Sequence, residues 1–66
     1  MIINLNGRPH EVTVGATVGE LIVDVTGSER GSAAVIDGEV VPRSTWSQRA
    51  LTEGASVELI TAVQGG

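Results

Sequence analysis

A single helix-period stripe constrains this chain more than any other feature. Val18, Leu21, Ile22 and Val25 recur at i, i+3, i+4 and i+7, which places them along one face of an α-helix. In front of them, Thr17-Val18-Gly19-Glu20 reads as a capping box. Thr17 accepts from the N–H three residues on, and Glu20 reaches back to the N–H of Thr17. Gly27 closes the helix as a left-handed cap. The valines are poor helix formers, so packing rather than propensity has to hold it. The rest of the chain has strand character, and a lone amphipathic helix can bury its stripe only against a sheet.

The strand signals fall into two hairpins and a last strand. Met1 to Leu5 is apolar and β-branched, and Asn6-Gly7 after it suits a type I′ turn, whose two central residues need positive φ. Arg8 to Val14 returns antiparallel, with Val12 and Val14 on one face and Glu11 and Thr13 on the other. Pro9 has no N–H to give a neighbour, which puts this strand at a sheet edge. After the polar loop Ser28 to Ser32, Ala33 to Ile36, Asp37-Gly38 and Glu39 to Val41 form a second hairpin, ended by Pro42. Arg43 to Leu51 has mixed signals; Ser44 or Thr45 is placed to cap one helical turn carrying Trp46. A turn at Thr52 to Ala55 leads into Ser56 to Val63, where Val57, Leu59 and Thr61 alternate with Glu58, Ile60 and Ala62. That alternation suits a central strand covered on one face.

The order β-β-α-β-β(-β) lets the first and last strands pair in parallel at the centre, joined through the helical crossover. The expected fold is α+β: a mixed sheet of four to five strands with one amphipathic helix across one face, the β-grasp or ubiquitin-like arrangement. Residues 1–66 make one such domain, with an extended C-terminal tail over about 63–66.

Composition narrows the function. A chain of 66 residues buries only about 60% of the surface its unfolded form exposes. It has little room for both a core and an enclosed substrate cavity, which argues against an independent enzyme. Cysteine is absent, which removes disulfides, thiolate metal sites and a cysteine nucleophile. The single histidine, His10, has no second ligand of its kind and reads as an exposed, uninvolved residue. Eight acids against four arginines give a net charge of −4, which argues against a nucleic-acid partner. No apolar run approaches a membrane span and no basic-then-apolar leader opens the chain, so the expectation is a cytoplasmic protein with no membrane partner. Lysine is also missing, a bias that a genome favouring arginine codons explains.

The last strand runs into Gln64-Gly65-Gly66. Extended, these three residues reach roughly 10 Å beyond it. Glycine lets the main chain enter spaces that a side chain cannot and leaves the final carboxylate unhindered. Alone, the two glycines are also compatible with an ordinary frayed terminus.

Residues along the whole chain carry a resemblance to a known family. They are Ile2-Ile3-Asn4-Leu5-Asn6-Gly7, the helix start Thr17-Val18-x-Glu20-Leu21, and the block Val35-Ile36-Asp37-Gly38-x-Val40-Val41-Pro42-Arg43-x-x-Trp46. Leu51-x-Glu53-Gly54, Val57-Glu58-Leu59 and Val63-x-Gly65-Gly66 complete the set. Together they resemble the ubiquitin-like sulfur carriers, and among these the ThiS family of thiamin biosynthesis. The Val41-Pro42-Arg43-x-x-Trp46 segment separates that family from the small subunits of molybdopterin synthase, which share the fold and the diglycine. Ala55 departs from the family, which often has Asp after the glycine of the last turn.

The resemblance implies a carrier rather than a catalyst, with no cofactor of its own. A ThiF-type adenylyltransferase would use ATP to convert the Gly66 carboxylate to an acyl-adenylate. Sulfur drawn from cysteine would then displace AMP to leave a thiocarboxylate, and thiazole synthase (ThiG) would receive it. Gly65 and Gln64 would provide access for the tail. Arg43 and Trp46 are candidates for partner recognition. Trp46, the one aromatic residue, equally fits a core that lacks Phe and Tyr, and this second reading is preferred; Arg43 either meets an acidic patch or is a solvated cation. Asp37 reads as a turn residue only. The competing functions are a carrier for molybdopterin or cysteine synthesis, a protein modifier joined through Gly66, and a plain binding module.

Overall fold

Both Asn-Gly and Asp-Gly turn a hairpin in the computed structural model, which describes residues 1–61. Asn6 and Gly7 have φ of 50° and 84°, and Asp37 and Gly38 have 48° and 86°. All four values lie in the left-handed region that a type I′ turn requires. The first hairpin joins β1 (Ile2–Leu5) to β2 (Arg8–Glu11), and the second joins β3 (Ser32–Ile36) to β4 (Glu39–Val41). Between them lies α1 (Val18–Thr26), and β5 (Ser56–Thr61) ends the described chain. The sheet order is β2-β1-β5-β3-β4, with β1 parallel to β5 and the other neighbours antiparallel. The Pro9 strand is at the edge, and the first and last strands meet at the centre, as the sequence predicts.

The helix is capped at both ends as expected. Thr17 Oγ1 accepts from the Glu20 N–H, a Glu20 carboxylate oxygen accepts from the Thr17 N–H, and Gly27 takes φ 84°. The other early N–H groups find partners outside the helix. Val18 N–H donates to the Arg49 carbonyl and Gly19 N–H to the Trp46 carbonyl. The groups that a helix start leaves without intrahelical partners thus stitch α1 to the segment that follows β4.

One cluster forms the core. Val18, Leu21 and Ile22 of the helix pack with Ile3, Ala34, Ile36, Val41, Val57 and Leu59 of the sheet, and with Trp46, Leu51 and Ala55. Register explains the sheet contribution. Ala34 pairs with both Val41 and Leu59, and Ile36 pairs with Val57, so the inward residues of three strands stand in rows.

Four expectations need correction. Val25 is 44% exposed: the covered stripe follows i+4 steps along Val18, Ile22 and half-buried Thr26, which leaves Val25 at its margin. Strand β2 stops at Glu11 rather than Val14. Val12 exchanges backbone hydrogen bonds with Met1, and the ladder ends there, so Val14 is left 79% exposed. Neither Ser44 nor Thr45 caps the turn after β4. That turn is a 3-10 helix over Arg43–Thr45 with Pro42 at its N-cap, because the fixed φ of proline, here −59°, starts it directly from the strand end. Trp46 follows this turn rather than lying in it. Finally, His10 is half-buried, since it stands opposite core residue Ile3 on the covered side of the edge strand.

Candidate functional site

Strand β5 leads in sequence to the tail, and its neighbours hold it unequally. On one side β3 pairs along its length, from Ile36 opposite Val57 to Ser32 opposite Thr61. On the other side β1 pairs only at Asn4 with Ser56 and Leu5 with Val57 before turning away. Backbone groups of β5 beyond that point still need partners. Asn6 supplies them: its N–H donates to the Val57 carbonyl at 2.8 Å, and its side-chain Oδ1 accepts from the Leu59 N–H at 2.9 Å. Its Nδ2 lies a long 3.5 Å from the Leu59 carbonyl oxygen. The start of β5 is tied as well. Ser56 N–H donates to Asp37 Oδ1 at 3.1 Å and the Ser56 carbonyl accepts from the Asp37 N–H at 2.8 Å. Asp37 is therefore more than a turn residue. Sequence reasoning missed the side-chain roles of Asn6 and Asp37, because both residues are already accounted for by their turns.

Gln64, Gly65 and Gly66, the residues expected to carry the chemistry, lie outside the described residues. The strand that leads to them is central in the sheet, between β1 and β3.

Trp46 and Arg43 are together, on the β4 side of the sheet. Trp46 is 2% exposed, and its indole Nε1 donates to the Val41 carbonyl at 2.9 Å. The structure therefore gives its side chain to the core. Gly19 crosses close above it, where a Cβ would lie 3.6 Å from the Trp46 Cβ. Arg43 is exposed, with its guanidinium carbon 5.9 Å from the centre of the indole ring, a cation–π distance. Its charge thus covers the rim of the buried ring and remains accessible. Ala55 is buried and its N–H donates to the Thr52 carbonyl, so the last turn closes through the backbone.

The face of the sheet away from the helix is partly apolar. Ala33 stands opposite Ile60, and Val35 opposite Val40, so four residues of three adjacent strands form a strip in which Val40 is 71% exposed. The alternation of Ile60 against Val57 and Leu59 was the sequence signal for its β5 end. An open groove of about 420 Å³ runs between the β2–α1 loop and the helix, lined by Glu11, Val14, Glu20 and Asp24 among others. Its titratable lining is the three carboxylates Glu11, Glu20 and Asp24, with no histidine, cysteine or lysine beside them. Among the described residues, no three His, Cys, Asp or Glu side chains are grouped to hold a metal ion, and no helix is long and apolar enough to cross a membrane.

A helix laid across a five-stranded mixed sheet, with a central last strand leading to two glycines, defines a β-grasp domain of the carrier type. Comparison with known proteins agrees in both sequence and structure. The model of the ThiS family matches residues 3–66. The sulfur carrier protein ThiS of Escherichia coli is 30% identical over 66 residues, the whole of both chains. The crystal structure of the thiamine biosynthesis protein ThiS from Geobacter metallireducens superposes with a TM-score of 0.83 at 25% identity, again over the whole of both chains. A solution structure of a thiamine biosynthesis protein from the same organism gives the same TM-score and covers 88% of that chain. The chain belongs to the ThiS family, and its fold is the β-grasp fold expected from the sequence.

Proposed function

We propose that this protein carries sulfur for thiazole formation in thiamin biosynthesis, on the carboxyl group of Gly66. It acts in the cytoplasm as a co-substrate of other enzymes rather than as an enzyme. A carboxylate is a poor electrophile, so a ThiF-type adenylyltransferase first joins it to the α-phosphate of ATP and releases pyrophosphate. A sulfide equivalent derived from cysteine then adds to the acyl carbon and AMP leaves, which produces a thiocarboxylate. Thiazole synthase takes the sulfur, and the carboxylate is regenerated for another round. Gly65 and Gln64 thread the acyl carbon into each partner, and Arg43 offers an exposed cation for partner recognition.

The observation that carries this reading is the match to the ThiS family over residues 3–66, which takes in the diglycine. The central position of β5, held by neighbours on both sides, supports it by providing a firm base for the tail. The test is to trap the adenylate with hydroxylamine, using the cognate activating enzyme and ATP. The intact chain forms a hydroxamate at Gly66, and a chain lacking Gly66 does not. Equal rates from the two chains would refute the proposal.

A further inference from the structure

We infer that Asn6 is a positioning residue for the C-terminal tail, acting through a side-chain rung that holds β5 beyond the end of its parallel partner. The inference rests on the proposed function. Strand β1 leaves β5 after Leu5, four residues before β5 itself ends at Thr61. The Leu59 N–H points to the side that β1 has vacated, because its partner there is the Asn6 Oδ1. A primary amide has the donor and acceptor of a peptide group, so it can stand in for one further strand residue. The Asn6 backbone also bonds to Val57, so main chain and side chain together grip β5 at two alternate residues.

Asn6 can do this because of its turn. Its φ of 50° swings the main chain away toward β2 while the side chain stays in line with β1. Asparagine is among the few residues that tolerate this backbone region, and it also carries an amide. Glycine would serve the turn equally well but could not form the rung. Among the described residues, the last rung on this side lies at Leu59, two residues before the final one. It fixes β5 on that side close to the start of the tail.

Asn6→Gly separates the two roles, since it keeps the turn and removes the amide. With the folded variant and the cognate activating enzyme, kcat for adenylation falls about tenfold, the population change that loss of one hydrogen bond brings. KM stays within about twofold, because the surfaces that dock are untouched. Asn6→Asp keeps the acceptor for the Leu59 N–H and restores most of the rate. Amide hydrogen exchange reads the rung directly. The Leu59 amide is protected in the unaltered chain and exchanges about tenfold faster in Asn6→Gly, while core amides such as Ala34 keep their rates. If Asn6→Gly fails to fold, Asn6→Ser, whose side chain is too short to reach Leu59, takes its place. An unchanged kcat in a folded variant would overturn the inference, as would a Leu59 amide that exchanges freely in the unaltered chain. If the unaltered chain is not adenylated at all, the sulfur-carrier reading fails instead, and Leu59 exchange still reports on the rung.

Discussion

Replacing Trp46 by alanine is expected to come close to unfolding this domain. The side chain is 2% exposed, lies where the helix, the end of β4 and the 3-10 turn meet, and is the only aromatic group in the molecule. Truncating such a residue costs about 3–5 kcal/mol through lost contacts and the cavity left behind. At about 0.05–0.15 kcal/mol per residue, a chain of this length has roughly 3–10 kcal/mol of stability in total. For a domain of this size each kcal/mol shifts Tm by about 4–8 °C, so the expected fall is at least about 12 °C. Far-UV circular dichroism must follow the transition, because the variant has no aromatic fluorophore. Trp46→Phe keeps a ring in place and loses the bond to the Val41 carbonyl, so its melting point falls between the two. Fluorescence of the unaltered protein is a second test: with one tryptophan, blue-shifted emission and weak quenching report burial. A Trp46→Ala variant melting within about 4 °C of its parent, or water-exposed emission from the parent, would refute the assignment of Trp46 to the core.

Three further outcomes follow from the helix and the tail. Thr17→Ala removes the acceptor of the Glu20 N–H and lowers stability by about 0.5–2 kcal/mol, measurable by urea unfolding, without slowing adenylation of the folded protein. Gly19→Ala is expected to stabilise by about 0.5–1 kcal/mol, because alanine is the better helix former and the new Cβ meets its neighbours at 3.6 Å, an ordinary contact. A lower Tm for that variant would show that the crossing over Trp46 is tighter than the distances indicate. Gly65→Val keeps its fold but loses adenylation in the hydroxylamine assay, since a β-branched side chain stiffens and widens a segment that must enter an active site.

The fold was legible because its signals are local. The capping box at Thr17, the left-handed cap at Gly27 and the two type I′ turns each depend on residues adjacent in sequence, and each appears where expected. Pro9 marked the edge strand and the central position of β5 followed from the order of elements. What the sequence concealed depends on tertiary geometry. Val14 follows the strand pattern, but pairing stops where Val12 meets Met1. Val25 follows the helix pattern, but the buried stripe drifts past it toward Thr26. The same limit applies to the candidate site. Gly65 and Gly66 draw notice only through the family resemblance; the family match spans them, and they lie outside the described residues. Asn6 and Asp37 are not recognisable as supports of β5, since their partners Leu59 and Ser56 are distant in sequence. The core reading preferred for Trp46 in a chain without Phe or Tyr is borne out by its burial and its bond to the Val41 carbonyl, a partner set by the turn after β4.

The account stands or falls on what Gly66 carries in the cell. Intact-mass analysis of the protein purified from its own cells under thiamin starvation, with fragmentation to locate the change, measures this directly. The account predicts a fraction in which one oxygen is replaced by sulfur, with the change confined to Gly66. A chain found only with an unmodified Gly66 carboxylate, or with Gly66 amide-linked to lysines of other proteins, would contradict it.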